Sequence, residues 1–171
     1  MRILVTGASG SGTSTLGRAV AAALQAAFVE ADDLFWLPTD PAFKAKRDAT
    51  ERAALLHDQL SGNPSVVVSG SIYGWGPGLE DAFNLVVFLQ APAEVRVARL
   101  RERELRILGR VDEAFIAWAA QYDIGDMPGR SLARHLTWLE SRSCPVLRLP
   151  GTENVEALRS AVLAALRLGP S

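Results

Sequence analysis

Lysine, histidine and cysteine are scarce in this chain of 171 residues: Lys44 and Lys46, His57 and His135, and Cys144 are the whole supply. Each scarcity excludes something. A single cysteine forms no internal disulfide, which fits a reducing compartment and a cytoplasmic protein. The two histidines come without metal-ligand spacing, so no zinc site is expected. With two lysines among 18 basic residues, arginine must do most of the cationic work. No apolar run approaches the ~20 residues of a membrane span. The longest, such as "LVVFL", have the length of strands. Residues 1–6 read as a strand and not as a charged stretch leading an apolar signal region, so export is not expected. A net charge of −1 supplies no global field toward nucleic acid or a membrane surface. Neither is expected as a partner, and the chain is read as a monomer or homodimer.

What is present suits one globular domain over residues 1–171, with 49% hydrophobic and 22% charged residues. Strand and helix patterns alternate. "RILVT" (2–6), "AFVE" (27–30), "SVVVS" (65–69), "NLVVFLQ" (84–90) and "PVLRL" (145–149) read as strands, and the third and fourth are apolar on both faces. "TLGRAVAAALQ" (15–25) carries Leu16, Ala19, Val20, Ala23 and Leu24 at helical spacing. Residues 47–60 read as a helix with Ala53, Ala54 and Leu55 to one side, Pro92 opens a long helix, and residues 154–168 close the chain as an amphipathic one. This alternation predicts an α/β fold, a parallel sheet covered on both faces, with ligands bound outside the carboxyl ends of the strands.

The segment after the first strand, "GASGSGTST", nearly spells the phosphate loop G-x-x-x-x-G-K-[ST]. Gly7 and Gly12 hold the glycine places and Ser14 the hydroxyl place, but Thr13 stands where the lysine belongs. Inward-facing amides and a helix start attract anions without any lysine. Two rival motifs fit less well. Gly10-x-Gly12 is followed by Thr15 where a dinucleotide fold wants glycine, and only two residues separate Gly7 from Gly10, too few for a short-chain dehydrogenase. Asp32 does lie near the place of a ribose-binding acid. The glycines are also compatible with a lysine-poor sulfotransferase loop, though no lysine precedes this one, and with a plain turn that binds nothing.

With its other post-strand residues added, the chain resembles the small P-loop kinases, the group of adenylate and other nucleoside monophosphate kinases, shikimate and gluconate kinases and uridine-type nucleoside kinases. The match runs in order through "GASGSGTS", "EADDLFW", "VVVSGS" and "VVFLQAPAEVRVARLRER". It is most specific to a bacterial adenylate-kinase-like subgroup, through "DDLFWLPTDP", "SGS" and "DMPGRSLARHLTWL". The resemblance implies a three-layer α/β/α P-loop fold, a five-stranded parallel sheet in the order 2-3-1-4-5, an acceptor-binding insert at about 34–62 and a short helical lid at about 103–128. It implies ATP and Mg²⁺ as cofactors, held by Gly7, Ala8, Ser9, Gly10, Ser11, Gly12, Thr13, Ser14 and Thr15. Arg99, of the family's R-L-x-x-R, joins them at the nucleotide.

Thr13 offers a hydrogen bond but no charge. A charge-assisted hydrogen bond contributes about 1.5–3 kcal/mol against about 1 for a neutral one, so another cation is needed beside the moving phosphoryl group. Arg103, one turn beyond Arg99, and the pair Arg130 and Arg134 after the lid are the candidates. Arg96 and Arg101 rank lower, His57 is read as a surface residue, and His135 as surface or structural. Asp32 and Asp33, placed at the end of strand two, are the candidate acids. Asp32 is favoured both as the group that orients an acceptor hydroxyl and, with Ser14, as a Mg²⁺ ligand; Asp33 is second. Trp36, Arg47, Ser69, Gly70 and Ser71 are candidate acceptor contacts, with Tyr73 and Trp75 lining the same pocket.

The leading functional expectation is an ATP-dependent phosphotransferase that passes the γ-phosphoryl group to a small metabolite, nucleoside or nucleotide. A slow or non-catalytic nucleotide-binding switch is the alternative. An NAD(P)-binding oxidoreductase is a distant third.

Overall fold

A computed structural model describes residues 1–40, 42–125 and 130–168. Five strands form one sheet: β1 (Arg2–Gly7), β2 (Ala27–Glu30), β3 (Val66–Ser69), β4 (Leu85–Gln90) and β5 (Val146–Pro150). All pairings are parallel and the order is β2-β3-β1-β4-β5. That is the order the kinase resemblance implies. It differs from the 3-2-1-4-5-6 of the dinucleotide fold, and the oxidoreductase reading loses its structural basis.

Side chains alternate across the central strands, so each face has its own core. Ile3 and Val5 of β1, with Val67, Val87 and Leu89, pack under helix α1 (Thr13–Leu24) and the C-terminal helix, through Leu16, Val20, Leu158 and Val162. Leu4, Val66, Val68, Val86 and Phe88 face the other way. Two helices cover them, α3 (Ala49–Gly62) with Leu56 and Leu60, and α7 (Leu132–Glu140) with Trp138 and Leu139. The inward face of α3 is therefore Leu56 and Leu60, while Ala54 is exposed, contrary to the expected Ala53–Leu55 side. The Asp48 carboxylate starts α3 by accepting from the Thr50 and Glu51 amides.

Three further elements lie at the carboxyl end of the sheet. Helix α2 (Ala31–Phe35) follows β2 directly. Helix α4 (Pro77–Glu80) is a single turn after β3. The long helix α5 (Ala93–Leu108) leads to α6 (Glu113–Ala120) and a 3₁₀ turn at Gln121–Asp123, where Leu100, Ile116 and Ala119 make a small satellite core. The chain returns through α7 and β5 to α8 (Val155–Leu168). Asp126 to Gly129, the start of "DMPGRS" and part of the expected lid, lie outside the described residues, as does Pro41 of the "PTDP" segment.

Candidate active site

Strand β1 ends at Gly7 and α1 begins at Thr13, so Ala8 to Gly12 make the whole turn. Gly10 and Gly12 sit at φ +82° and +100°, a region that favours glycine. At Gly10 space matters as well, since a Cβ would lie 2.6 Å from the Arg96 carbonyl oxygen. The Ser11 amide donates to the Ala8 carbonyl at 3.0 Å and closes the turn. Gly12 brings no side chain to the start of α1, and the first turn contains no acid. The amides that a cap would satisfy are thus directed at the loop, with the positive end of the helix dipole behind them.

The loop is braced from behind. Ser69, at the end of β3, is fully buried and donates its hydroxyl to the Thr13 carbonyl at 3.0 Å. Gly17 makes this approach possible, because a Cβ there would lie 1.9 Å from the Ser69 hydroxyl oxygen. The sequence places Ser69 among the acceptor contacts; in the fold it positions the loop instead. Gly151 presses on the other side, where a Cβ would stand 2.6 Å from the Ser11 carbonyl oxygen.

One acid meets the loop. Glu30, the last residue of β2, lies beside the Ser14 side chain, which acts on its carboxyl. Burial is the largest cause of a carboxyl pKa raised to about 7; the Ser14 contact and Arg18 oppose the rise, and Asp32 and Asp33 add to it. Asp32 and Asp33 do not end strand two. They occupy the first turn of α2 and are exposed. The carboxyl beside the Ser14 hydroxyl is that of Glu30. Among the described residues no three His, Cys, Asp or Glu side chains gather as a metal cage. Mg²⁺ needs none, since it is held by one or two carboxylates, water and phosphate oxygens. Ser14 and Glu30 fit that donor set.

The arginines divide sharply. Arg96 is fully buried and donates to the Ala91 carbonyl (3.0 Å), the Ala119 carbonyl (3.0 Å) and the Asp123 carboxylate (2.7 Å). It fastens α6 and the 3₁₀ turn to α5 and is not available to a ligand. Arg99 donates to the Gly151 carbonyl at 2.8 Å, beside the loop. Arg130 lines a narrow crevice with Ala8 and Ser9 of the loop and with Trp118, Ala119 and Tyr122. Arg103 and Arg134 are exposed on α5 and α7. A cleft of about 360 Å³ opens next to Ala8, between the end of β4, Tyr122, Asp123 and Leu132.

These features have counterparts in known proteins. A family model described as AAA domain matches residues 3–114. The chain belongs to the AAA domain family. It is 39% identical over 157 residues to the uncharacterized protein YqaC of Bacillus subtilis (strain 168), covering 86% of each chain. It is 28% identical over 120 residues to the cytidylate kinase of Methanocorpusculum labreanum (strain ATCC 43576 / DSM 4855 / Z), over 61% of this chain and 63% of that enzyme. Among solved structures, a shikimate kinase from Bacteroides thetaiotaomicron superposes with a TM-score of 0.65 at 18% identity, covering 98% of both chains. The architecture of this AAA domain protein is that of the small P-loop kinases.

Beyond α2 of this AAA domain protein, Trp36 bridges to Lys46 and meets the edges of Phe35 and Phe43 at 4.9 and 6.1 Å. Arg47 is committed within the same hairpin. Its Nε donates to the Leu34 carbonyl at 3.0 Å and its Nη1 pairs with Glu51. Trp75, expected in the pocket, is buried and stacked on Phe35 at 6.4 Å. Tyr73 is exposed and its amide donates to the Ser71 hydroxyl at 3.4 Å. Gly70, at φ +112°, turns the end of β3 past Ala31.

Glu30, which the sequence analysis does not single out, and His135, which it reads as surface or structural, matter most. Glu30 is within the reach of sequence reading, because it is the last strand residue before "ADD" and strand ends carry the ligands in this architecture. His135 is buried, with Nδ1 2.8 Å from the Tyr122 hydroxyl and Nε2 3.3 Å from the Thr6 hydroxyl. Burial, then the Arg130 charge, lowers its pKa to about 4. It is a structural histidine, one of the two roles expected for it.

Proposed function

We propose that this protein is an ATP-dependent phosphotransferase acting on a small-molecule acceptor. The observation that carries the reading is the uncapped start of α1 with Ser14 and Glu30 paired at its edge. That arrangement offers amides to a polyphosphate and a hydroxyl-carboxylate pair to its metal. The names of the similar proteins, a cytidylate kinase and a shikimate kinase, support the reaction class. They leave the acceptor among nucleosides, nucleotides and sugar acids.

In this reading the backbone of residues 8–14 binds the β- and γ-phosphates, and Thr13 adds a neutral hydrogen bond. Mg²⁺, when held by Ser14 and Glu30, supplies charge neutralisation at the phosphates. Arg130, which shares a crevice with Ala8 and Ser9 of the loop, takes the part of the missing lysine and stabilises charge on the transferring group. Arg99 flanks the nucleotide at Gly151. Asp32, exposed beside Glu30, orients an acceptor hydroxyl and takes its proton. Arg103 and Arg134 reach the phosphates from the rim.

A coupled assay of ATP-Mg²⁺ with nucleosides, nucleoside monophosphates and hydroxy acids tests this. Transfer to one of these classes, abolished in Ser14→Ala, is the expected result. ATP-Mg²⁺ binding with no transfer to any of them refutes catalysis and leaves the nucleotide switch. The lysine-free loop is the one feature that favours that second reading.

A further inference from the structure

We propose that His135 is a positioning residue for Arg130, linking the root of the phosphate loop to the wall that carries this cation. The inference rests on the phosphotransferase reading and extends it to how a distant arginine is held in place of a loop lysine.

The chain of contacts is short and continuous. Thr6, fully buried, precedes Gly7 on β1, so its position is the loop's position. The imidazole lies between the Thr6 and Tyr122 hydroxyls, and a neutral ring has one nitrogen that donates and one that accepts, so each end is occupied. Tyr122 lies 5.3 Å under the Arg96 guanidinium, and Arg96 grips Ala119 and Asp123 on either side of it. Tyr122 and Ala119 also form the crevice in which Arg130 meets Ala8 and Ser9. One imidazole thus joins the two walls of that crevice.

The surroundings keep the ring neutral and oriented. Phe88 of β4 stands edge-on at 4.8 Å and Trp138 of α7 lies tilted at 5.6 Å. The charged groups near it are Arg130 itself and, one residue further, Arg96 and Asp123 through Tyr122. Burial first, and then the Arg130 charge, makes protonation of the imidazole costly, which suits a ring whose task is to bond at both ends.

The test uses variants that remove one hydroxyl and little volume. Tyr122→Phe and Thr6→Val are measured for kcat, acceptor KM, ATP-Mg²⁺ dissociation constant and Tm, each alone and in an Arg130→Ala background. In the native background each is expected to lower kcat about five- to tenfold with acceptor KM unchanged, and in the Arg130→Ala background neither is expected to lower it further, since coupled residues are not additive. Equal losses in both backgrounds, losses that follow Tm, or kcat within twofold of native would overturn the proposal. His135→Gln, which keeps a donor and an acceptor, is expected to retain more rate than His135→Phe; the reverse order counts against it. If the native protein binds ATP-Mg²⁺ without transfer, the functional reading fails on its own. The same background comparison then applies to the dissociation constant, and an undiminished effect there overturns this inference too.

Discussion

Glu30→Gln should make the ligand-free protein more stable and the enzyme worse. A carboxyl held at about 7 instead of 4.5 corresponds to about 3 kcal/mol against its ionised form in a fully enclosed site. Glu30 is only partly buried, and solvent screening reduces the working figure to about 1–2 kcal/mol. The sign follows from linkage. The folded pKa lies above the unfolded one, so this group's contribution is fully present below pH 4.5 and is lost as pH rises through about 7. A neutral glutamine has no such loss. At pH 8 the variant should melt about 2–8 °C above native, given about 2–4 °C per kcal/mol for a chain of this size. At pH 4.5 the difference should vanish. Mg²⁺-dependent ATP turnover should move the other way, falling about 10–100-fold with the loss of a metal ligand. Differential scanning calorimetry at both pH values, run beside the coupled assay, reads both signs. An unchanged Tm at pH 8 would refute the burial penalty on the Glu30 carboxyl, and full turnover in the variant would refute its role beside the Ser14 hydroxyl.

Other outcomes follow from the same geometry. Gly10→Ala forces a Cβ against the Arg96 carbonyl at positive φ, and should cost roughly 2–4 kcal/mol in urea denaturation together with ATP binding in calorimetry. Arg130→Ala should lower kcat about 10–100-fold, and adding Thr13→Lys should restore part of the loss, whereas Thr13→Lys alone should slow the native enzyme by crowding Arg130. For His135 the folded pKa is depressed, to about 4 from 6.5, so its contribution is present above pH 6.5 and lost as pH falls toward 4. Equilibrium unfolding should show a drop of about 2–3 kcal/mol over that range, and the drop should be missing in His135→Phe.

Much of this molecule is legible in its sequence because the strands are short, apolar and punctuated. "AFVE" is β2 to the residue, and "SVVVS" and "NLVVFLQ" each differ from β3 and β4 by one residue. The glycine loop declares its turn through Gly10 and Gly12, since positive φ leaves few other choices. What stays hidden is partnership across the fold. Asp32 and Asp33 read as a strand end because a five-residue helix leaves no periodic trace. Ser69 looks like a site residue because it sits at the right strand end, and only its distance to Thr13 shows that it faces the loop's back. Arg96, among interleaved charges on α5, looks like part of a solvated face; its burial follows from three acceptors that converge on it from 5, 23 and 27 residues away. No local pattern announces such convergence.

The bracing of the phosphate loop has a thermodynamic consequence. Ser69 behind Thr13, Gly151 against Ser11 and the Arg96 carbonyl under Gly10 leave that turn a single shape before any ligand arrives. The conformational entropy of ordering it is settled when the domain folds, so on the proposed function a triphosphate would meet a finished receptor. Such rigidity compensates in part for a loop without its own lysine: fewer attractive charges suffice where nothing must be organised on arrival. On the proposed function, adaptation to different acceptors would then fall to the hairpin around Trp36 and the turn around Tyr73.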